Sequence, residues 1–187
     1  MKQLLFCLLL GQCLLIHAQH NKNSNKFRFR STHQVGFQSG QAGTDLQLET
    51  INGIQYKTFS TGIGVGLDYY KERSVPLFLN VQKNLLRQPR TPFVYANGGY
   101  HFPWLKEKAE EWIRIDVDGG LYYDLGIGYH FPAFKSGAVH VSLGYSVKNM
   151  SEKINQNIWR SSLPAQEDFQ RFDYTLRRYS FKMGLTL

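Results

Sequence analysis

Phe59-Ser60-Thr61-Gly62-Ile63-Gly64-Val65-Gly66-Leu67-Asp68-Tyr69-Tyr70 alternates without interruption. In an extended chain Phe59, Ile63, Val65, Leu67 and Tyr69 share one face, and Ser60, three glycines and Asp68 share the other. A period of two is the signature of a strand; on a helix these apolar residues would scatter around the circumference. Gly62, Gly64 and Gly66 recur every second residue, so they line one side of that strand. A dinucleotide-binding turn needs wider glycine spacing and a strand-turn-helix context.

The same alternation runs through the rest of the chain. In 118–131, Leu121, Tyr123, Leu125, Ile127, Tyr129 and Phe131 oppose Tyr122, Asp124, Gly126, Gly128 and His130. In 138–147, Val139, Val141, Leu143, Tyr145 and Val147 oppose His140, Ser142, Gly144 and Ser146. The C-terminus sets Tyr179, Phe181, Met183, Leu185 and Leu187 against Arg178, Ser180, Lys182, Gly184 and Thr186. Weaker alternation covers 27–40 (Phe27, Phe29, Val35 and Phe37 against Arg28, Arg30, Gln34 and Gln38) and 45–56, where Leu46 and Leu48 oppose Gln47 and Glu49. It also covers 75–86 (Leu77, Leu79 and Val81 against Asn80, Gln82 and Asn84) and 92–102, where Val94, Ala96, Tyr100 and Phe102 oppose Tyr95, Asn97 and His101. Asn52-Gly53 predicts a kink or bulge in the second of these strands. The sequence therefore predicts an all-β fold of eight strands.

Composition narrows the setting. Of 187 residues 42% are hydrophobic and 14% aromatic, which excludes disorder. Lys2 followed by the apolar run Leu4 to Ile16 reads as a secretory leader over 1–18, too short to span a membrane as a helix. Leu10-Gly11-Gln12-Cys13 is similar to a lipoprotein cleavage box, but Gln12 is too large for its position. Both cysteines, Cys7 and Cys13, lie in that leader. A mature chain without them has no disulfide scaffold, thiolate zinc site or cysteine nucleophile. Residues 19–26 read as a flexible, basic N-terminal segment and 27–187 as the folded domain. Lys22, Lys26, Arg28 and Arg30 suit solvation or attraction to anionic lipid; nucleic-acid binding would need more, and export argues against it.

Linkers and faces decide the architecture. The second, fourth and sixth connections (Lys57-Thr58, Arg87 to Thr91, Pro132 to Ser136) are short, whereas 103–117 and 150–172 are long and fall on the opposite rim. That asymmetry, with an even strand count that leaves no open edge, predicts a closed up-and-down antiparallel transmembrane β-barrel. Its apolar face points to lipid, for three reasons. Glycine and a few charges on the other face suit a narrow lumen. Aromatic pairs such as Tyr69 and Tyr70, Tyr100 with Phe102 and Trp104, Tyr129 and Phe131, and Tyr179 and Phe181 sit at strand ends, as interfacial girdles do. The apolar faces carry almost no charge away from their ends; Lys83 adjoins a short turn. A soluble periplasmic carrier of lipocalin type, holding an apolar ligand inside, has the same period and is the competing reading.

Leu48-Glu49-Thr50-Ile51-Asn52-Gly53, Gly62 to Tyr70, Val75-Pro76-Leu77-Phe78-Leu79-Asn80, Gly119-Gly120-Leu121 through Gly128, and Tyr179 to Leu187 together carry a resemblance to a known group. The chain resembles the small, porin-like outer-membrane β-barrel proteins of Gram-negative bacteria, over nearly the whole of the region after the leader. The resemblance implies an outer-membrane location after export through the inner membrane. It also implies insertion by the barrel-assembly machinery, with the last strand as signal; Leu187 stands where a terminal Phe is more usual. Outer-membrane lipids and lipopolysaccharide are the implied surroundings. The sequence itself is silent on oligomeric state.

The candidate site is a polar network inside the barrel: Glu49, Asp68, Gln82, Asn97, Asp124, His130, His140, Arg178 and Lys182, read as structural. His101 and His130 have no ligand spacing around them, and Asp116-x-Asp118-Gly119 lacks most of a calcium loop, so no metal or cofactor is expected. His140-Val141-Ser142 is similar to the His-x-Ser pair of outer-membrane lipid A deacylases, with Glu152 as an imaginable orienting acid. The pair lies on the lumen side and after a short turn, away from the leaflet that holds lipid A, so the chain is read as no enzyme. Its expected role is structural or in surface interaction. Trp104, Leu105, Ala109, Trp112 and Ile113 fit either a short amphipathic helix or an ordered loop at the rim.

Overall fold

The computed structural model describes residues 27–105, 107–110, 113–133, 137–156 and 168–187, all in strands and their connections. Residues 1–18, expected to be a leader, and 19–26 lie outside the described residues, as does 157–167 within the last long connection. The strands are β1 (Arg28–Gly40), β2 (Gly43–Tyr56), β3 (Phe59–Asp68), β4 (Ser74–Asn84), β5 (Thr91–Pro103), β6 (Glu107–Glu110), β7 (Ile113–Asp118), β8 (Gly120–Pro132), β9 (Ala138–Gln156) and β10 (Asp168–Thr186). Eight of them form the wall in the order β1-β2-β3-β4-β5-β8-β9-β10, every pair antiparallel, and β10 returns to β1 to close it. The closing register runs from Thr32↔Thr186 to Gly40↔Arg178.

Closure turns the alternation into an inside and an outside. Ile63, Leu125, Ile127 and Leu143 are each about 60% exposed on the outer wall, with Val65 beside them and Val141 half-buried. Their neighbours in sequence point into a lumen of polar groups and a few rings. Inward glycines make room for those rings. A Cβ on Gly64 would collide with the Phe78 ring, and one on Gly126 with the Tyr95 ring, so each aromatic lies flat over a neighbouring strand where a side chain would otherwise stand. Exposed Tyr100, Phe102, Trp104 and Tyr179 ring the rim that carries the long connections, and Phe27, Tyr56, Phe59 and Phe131 the rim that carries the termini.

Four local expectations are corrected. In place of the expected short helix or rim loop, Glu107–Glu110 and Ile113–Asp118 are the strands β6 and β7, which pair with each other, and β7 pairs with the far half of β9; Trp112 lies outside the described residues. Asn52 and Gly53 stay in uninterrupted register with both neighbours, so there is no kink there. The irregularity lies at Gly119 instead. β7 pairs Asp118↔Ser151 and β8 pairs Tyr122↔Lys148, four steps against three on β9, which is a one-residue bulge. It inverts the parity, so that Val117 and Tyr122 both point inward. Finally, β9 and β10 are 19 residues each and absorb much of the expected 150–172 loop, and Tyr70 is not a girdle residue but fully buried.

Beyond the barrel wall the far halves of β9 and β10 continue for roughly 25 Å, from the strand rise over eight residues. With β6 and β7 they make a four-stranded flap. Tyr70, Val117, Met150 and Leu176, flanked by Ile115 and Tyr174, pack at its base into an apolar plug over the mouth of the lumen. The closure is testable with a cysteine-free chain beginning after residue 18. Phe37→Cys combined with Phe181→Cys, directly opposite across the closing seam, forms a disulfide on oxidation. Phe37→Cys with Met183→Cys, two residues out of register, does not. Non-reducing electrophoresis reads the difference.

Candidate functional site

Alternate residues of eight strands converge on the lumen axis, and the polar ones sort into three tiers. In the middle tier Lys182 of β10 binds two carboxylates. Its Nζ donates to Glu49 Oε2 at 2.9 Å and to Asp124 Oδ2. Tyr122 donates its hydroxyl to Glu49 Oε1 at 3.1 Å, Tyr95 to Asp124 Oδ1 at 3.2 Å, and Asn97 Nδ2 to Asp124 Oδ2 at 3.4 Å. Gln47 Nε2 donates to Glu49 Oε1 at 2.5 Å, and Gln34 Nε2 donates to Glu49 Oε2. Lys182, Glu49 and Asp124 are all buried.

The tier below the apolar plug centres on Asp68. Its Oδ2 accepts from Arg178 Nη1 at 2.6 Å and from Lys148 Nζ at 3.4 Å, and its Oδ1 accepts from the Tyr70 backbone N–H at 2.8 Å. Arg178 Nη2 also reaches Ser146 Oγ at 2.7 Å and its guanidinium lies over the Tyr70 ring. Lys148 Nζ adds Ser74 Oγ at 2.7 Å and the Glu72 carbonyl at 3.0 Å. The tier nearest the termini holds Arg30. Its Nη1 donates to Ser60 Oγ at 2.7 Å and its Nη2 to Gln82 Oε1 at 3.2 Å, facing His130 Nε2 at the same distance.

The structure brings Glu49, Asn97, Asp124 and Lys182 into one cluster, Asp68 and Arg178 into a second, and Gln82 and His130 into a third. His140 stands between tiers, 3.0 Å from Gln34 Oε1 and 3.4 Å from Thr186 Oγ1. His101 contacts the Asn149 carbonyl at 2.6 Å near the outer mouth. Sequence reasoning missed Lys148 and left Arg30 out of the lumen network. Lys148 keeps the parity of His140, Ser142 and Ser146 and was lost only because β9 was ended at Val147. Arg30 shares its parity with Gln34 and Gln38, yet it reads as one charge of a basic tail; it is 8% exposed, inside the barrel.

The arrangement seals the lumen. A void lined by Arg30, Gln34, Asn80, Gln82, Tyr95 and Ser142 leaves about 20 Å³, the room of a single water. No catalytic triad assembles from the His-x-Ser pair. Ser142 and His140 are both buried in the lumen, and Glu152 lies twelve residues along β9 from His140, roughly 40 Å at the strand rise. Glu152 is instead paired with Lys71 at 3.3 Å. Among the described residues no group of three histidine, cysteine or carboxylate side chains is placed to hold a metal ion.

No family model matches the sequence, and no curated protein matches it. The fold is similar to that of the outer membrane protein OprG from Pseudomonas aeruginosa, with 8% identity and a TM-score of 0.57, covering 87% of this chain and 95% of that one. It is also similar to the outer membrane protein AlkL in DMPC lipid bilayers, with 10% identity and a TM-score of 0.51, covering 91% of this chain and 93% of that one. At such identities the likeness is one of fold: this chain is a closed eight-stranded barrel of the outer-membrane type.

Removing one partner from a buried ion cluster leaves an uncompensated charge. Lys182→Met, which strands Glu49 and Asp124, therefore lowers unfolding free energy by about 3–5 kcal/mol in urea titrations of the vesicle-inserted barrel. Adding Glu49→Gln and Asp124→Asn to that variant restores most of the loss.

Proposed function

We propose that this chain is an integral outer-membrane barrel of a Gram-negative bacterium, exported through the inner membrane, that serves a structural or surface-interaction role and is not an enzyme. The observation that carries this reading is the partition of side chains across the wall. An aliphatic belt around Ile63, Leu125, Ile127 and Leu143 faces outward while Glu49, Asp68, Asp124, Lys148, Arg178 and Lys182 are buried within. In water the belt would be a large exposed apolar patch; against hydrocarbon it is the required surface. A carrier of an apolar ligand needs the opposite partition, and the lumen has ion clusters where such a ligand would sit.

The sealed interior argues against solute passage and directs attention to the outer mouth. There the four-stranded flap of β6, β7, β9 and β10 reaches beyond the membrane, with β6 at its edge among the described residues and able to meet other surface molecules. The surroundings in this reading are outer-membrane lipids and lipopolysaccharide, with barrel-assembly machinery acting during insertion and no nucleic acid. Membrane location is tested by carbonate washing of cell envelopes: the protein stays in the pellet, and release into the wash overturns the reading. A deletion strain with unchanged lipid A acylation supports the non-enzymatic role; a change reversed by the wild type and not by Ser142→Ala would reject it.

Two further outcomes follow from the same partition. Leu125→Arg places a cation at the mid-wall outer face and destabilises the vesicle-inserted barrel by about 2–4 kcal/mol. Vesicles containing the wild-type barrel swell in small sugars no faster than protein-free vesicles, because the polar tiers fill the lumen.

A further inference from the structure

The chain's 14 carboxylates are distributed unevenly. None occurs in 1–44, 53–67, 73–106, 125–151 or 174–187. Where described, these segments include the rim carrying the N-terminal strand, the C-terminus and the short turns. Glu49 and Asp124 are the side-chain carboxylates nearest to that rim, and both point into the lumen against Lys182. The cations are not so confined. Arg28, Lys57, Lys83, Arg87 and Arg90 all stand exposed on the same rim. At the opposite mouth charges meet in pairs, Lys71 with Glu152 at 3.3 Å, Lys153 with Asp118 at 3.4 Å and Arg171 with Asp173 at 3.1 Å. The lower rim has no Asp or Glu side chain with which to do the same.

The position of these cations says what they face. Lys57 Nζ lies 5.1 Å from the Tyr56 ring centroid and Lys83 Nζ 5.0 Å from that of Phe59, both rings being exposed on the outer wall. Arg87 directly follows Leu85 and Leu86, which are 53% and 49% exposed in the same turn. Cations set among exposed rings and leucines sit level with lipid headgroups, their stems on apolar surface and their charges toward phosphate. A rim aimed at a soluble polyanion would instead carry its charges on polar turns pointing away from the wall.

We propose that this rim is a docking surface for the phosphates of anionic glycerophospholipids in the periplasmic leaflet. The inference rests on the membrane reading above, which sets the termini and short turns on the periplasmic side. One cation held at a charged lipid surface weighs about fivefold in association, and the attraction fades with ionic strength because exposed charges are screened.

The test uses the complete barrel inserted in phosphatidylcholine vesicles that contain spin-labelled phosphatidylglycerol or spin-labelled phosphatidylcholine as probe. Electron paramagnetic resonance reads the fraction of each probe immobilised at the wall. The wild type prefers the phosphatidylglycerol probe about fivefold or more, and the preference falls in high salt. The combined variant Lys57→Gln, Lys83→Gln, Arg87→Gln and Arg90→Gln inserts as before and loses most of that preference. An inserted wild-type barrel with no preference overturns the inference and leaves the membrane reading intact. So does a preference that the combined variant retains, or a flat lipid preference together with cation-dependent binding to purified cell-wall sacculi. Failure to insert into vesicles overturns both. Labelling of Arg90→Cys from outside intact cells would overturn the leaflet assignment.

Discussion

A wall surrounded by hydrocarbon has no water with which to satisfy its backbone, so every amide and carbonyl in it must be paired within the protein. In this chain that requirement falls on the contact between β10 and β1, where nine residues on each strand lie opposite one another. Without the seam, the sheet would present two long unpaired edges and no interior. With it, parity along each strand becomes a sorting rule: odd and even positions are assigned to lipid or lumen all the way around. The burial of Lys182 and the exposure of Phe181 and Met183 are consequences of one register.

The same closure makes the interior narrow, and narrowness dictates its chemistry. Charged groups brought together from β2, β3, β8, β9 and β10 have little water to share, so they can remain charged only by pairing. The middle tier joins one lysine to two carboxylates and the outer tier one carboxylate to two cations, with tyrosine, amide and hydroxyl donors and acceptors completing the shells. Such clusters stabilise poorly compared with hydrocarbon of equal volume, because desolvation offsets much of the attraction. Their effect is on register instead: a slip of one residue in β10 would carry Arg178 and Lys182 to the lipid side, away from Asp68, Glu49 and Asp124. The ion tiers and the aliphatic belt therefore reject the same wrong pairing.

Reading the sequence went furthest where periodicity was strong. The stretch from Phe59 to Asp68 and the segment around Leu125 specified strand, face and partner chemistry, since period two needs no knowledge of neighbours. It failed where local pattern and tertiary context disagreed. Trp104 to Ile113 has apolar spacing compatible with a helix turn, but β9 offers an unpaired edge beyond the wall, and β7 completes it. Asn52-Gly53 has turn-forming composition, yet registered neighbours on both sides hold it straight. The bulge fell at Gly119, where β7 and β8 must both pair with one continuous β9 and the parity change brings Val117 into the apolar plug. Tyr70 looked like an interfacial ring because it follows Tyr69 at a strand end; past that end the chain turns inward and stacks it on Arg178.

By itself the sequence determined the strand class, the division of each strand into an apolar and a polar face, and the polar residues that belong together on the second. These depend on side-chain alternation, a property of a single strand. Only the tertiary structure decided which charges meet, that Lys148 and Arg30 join them, and that an apolar plug closes the outer mouth. Those depend on the stagger between strands far apart in sequence, such as β3 and β10. The chain separation between Asp68 and Arg178 leaves no trace in local pattern; the barrel's register puts them 2.6 Å apart.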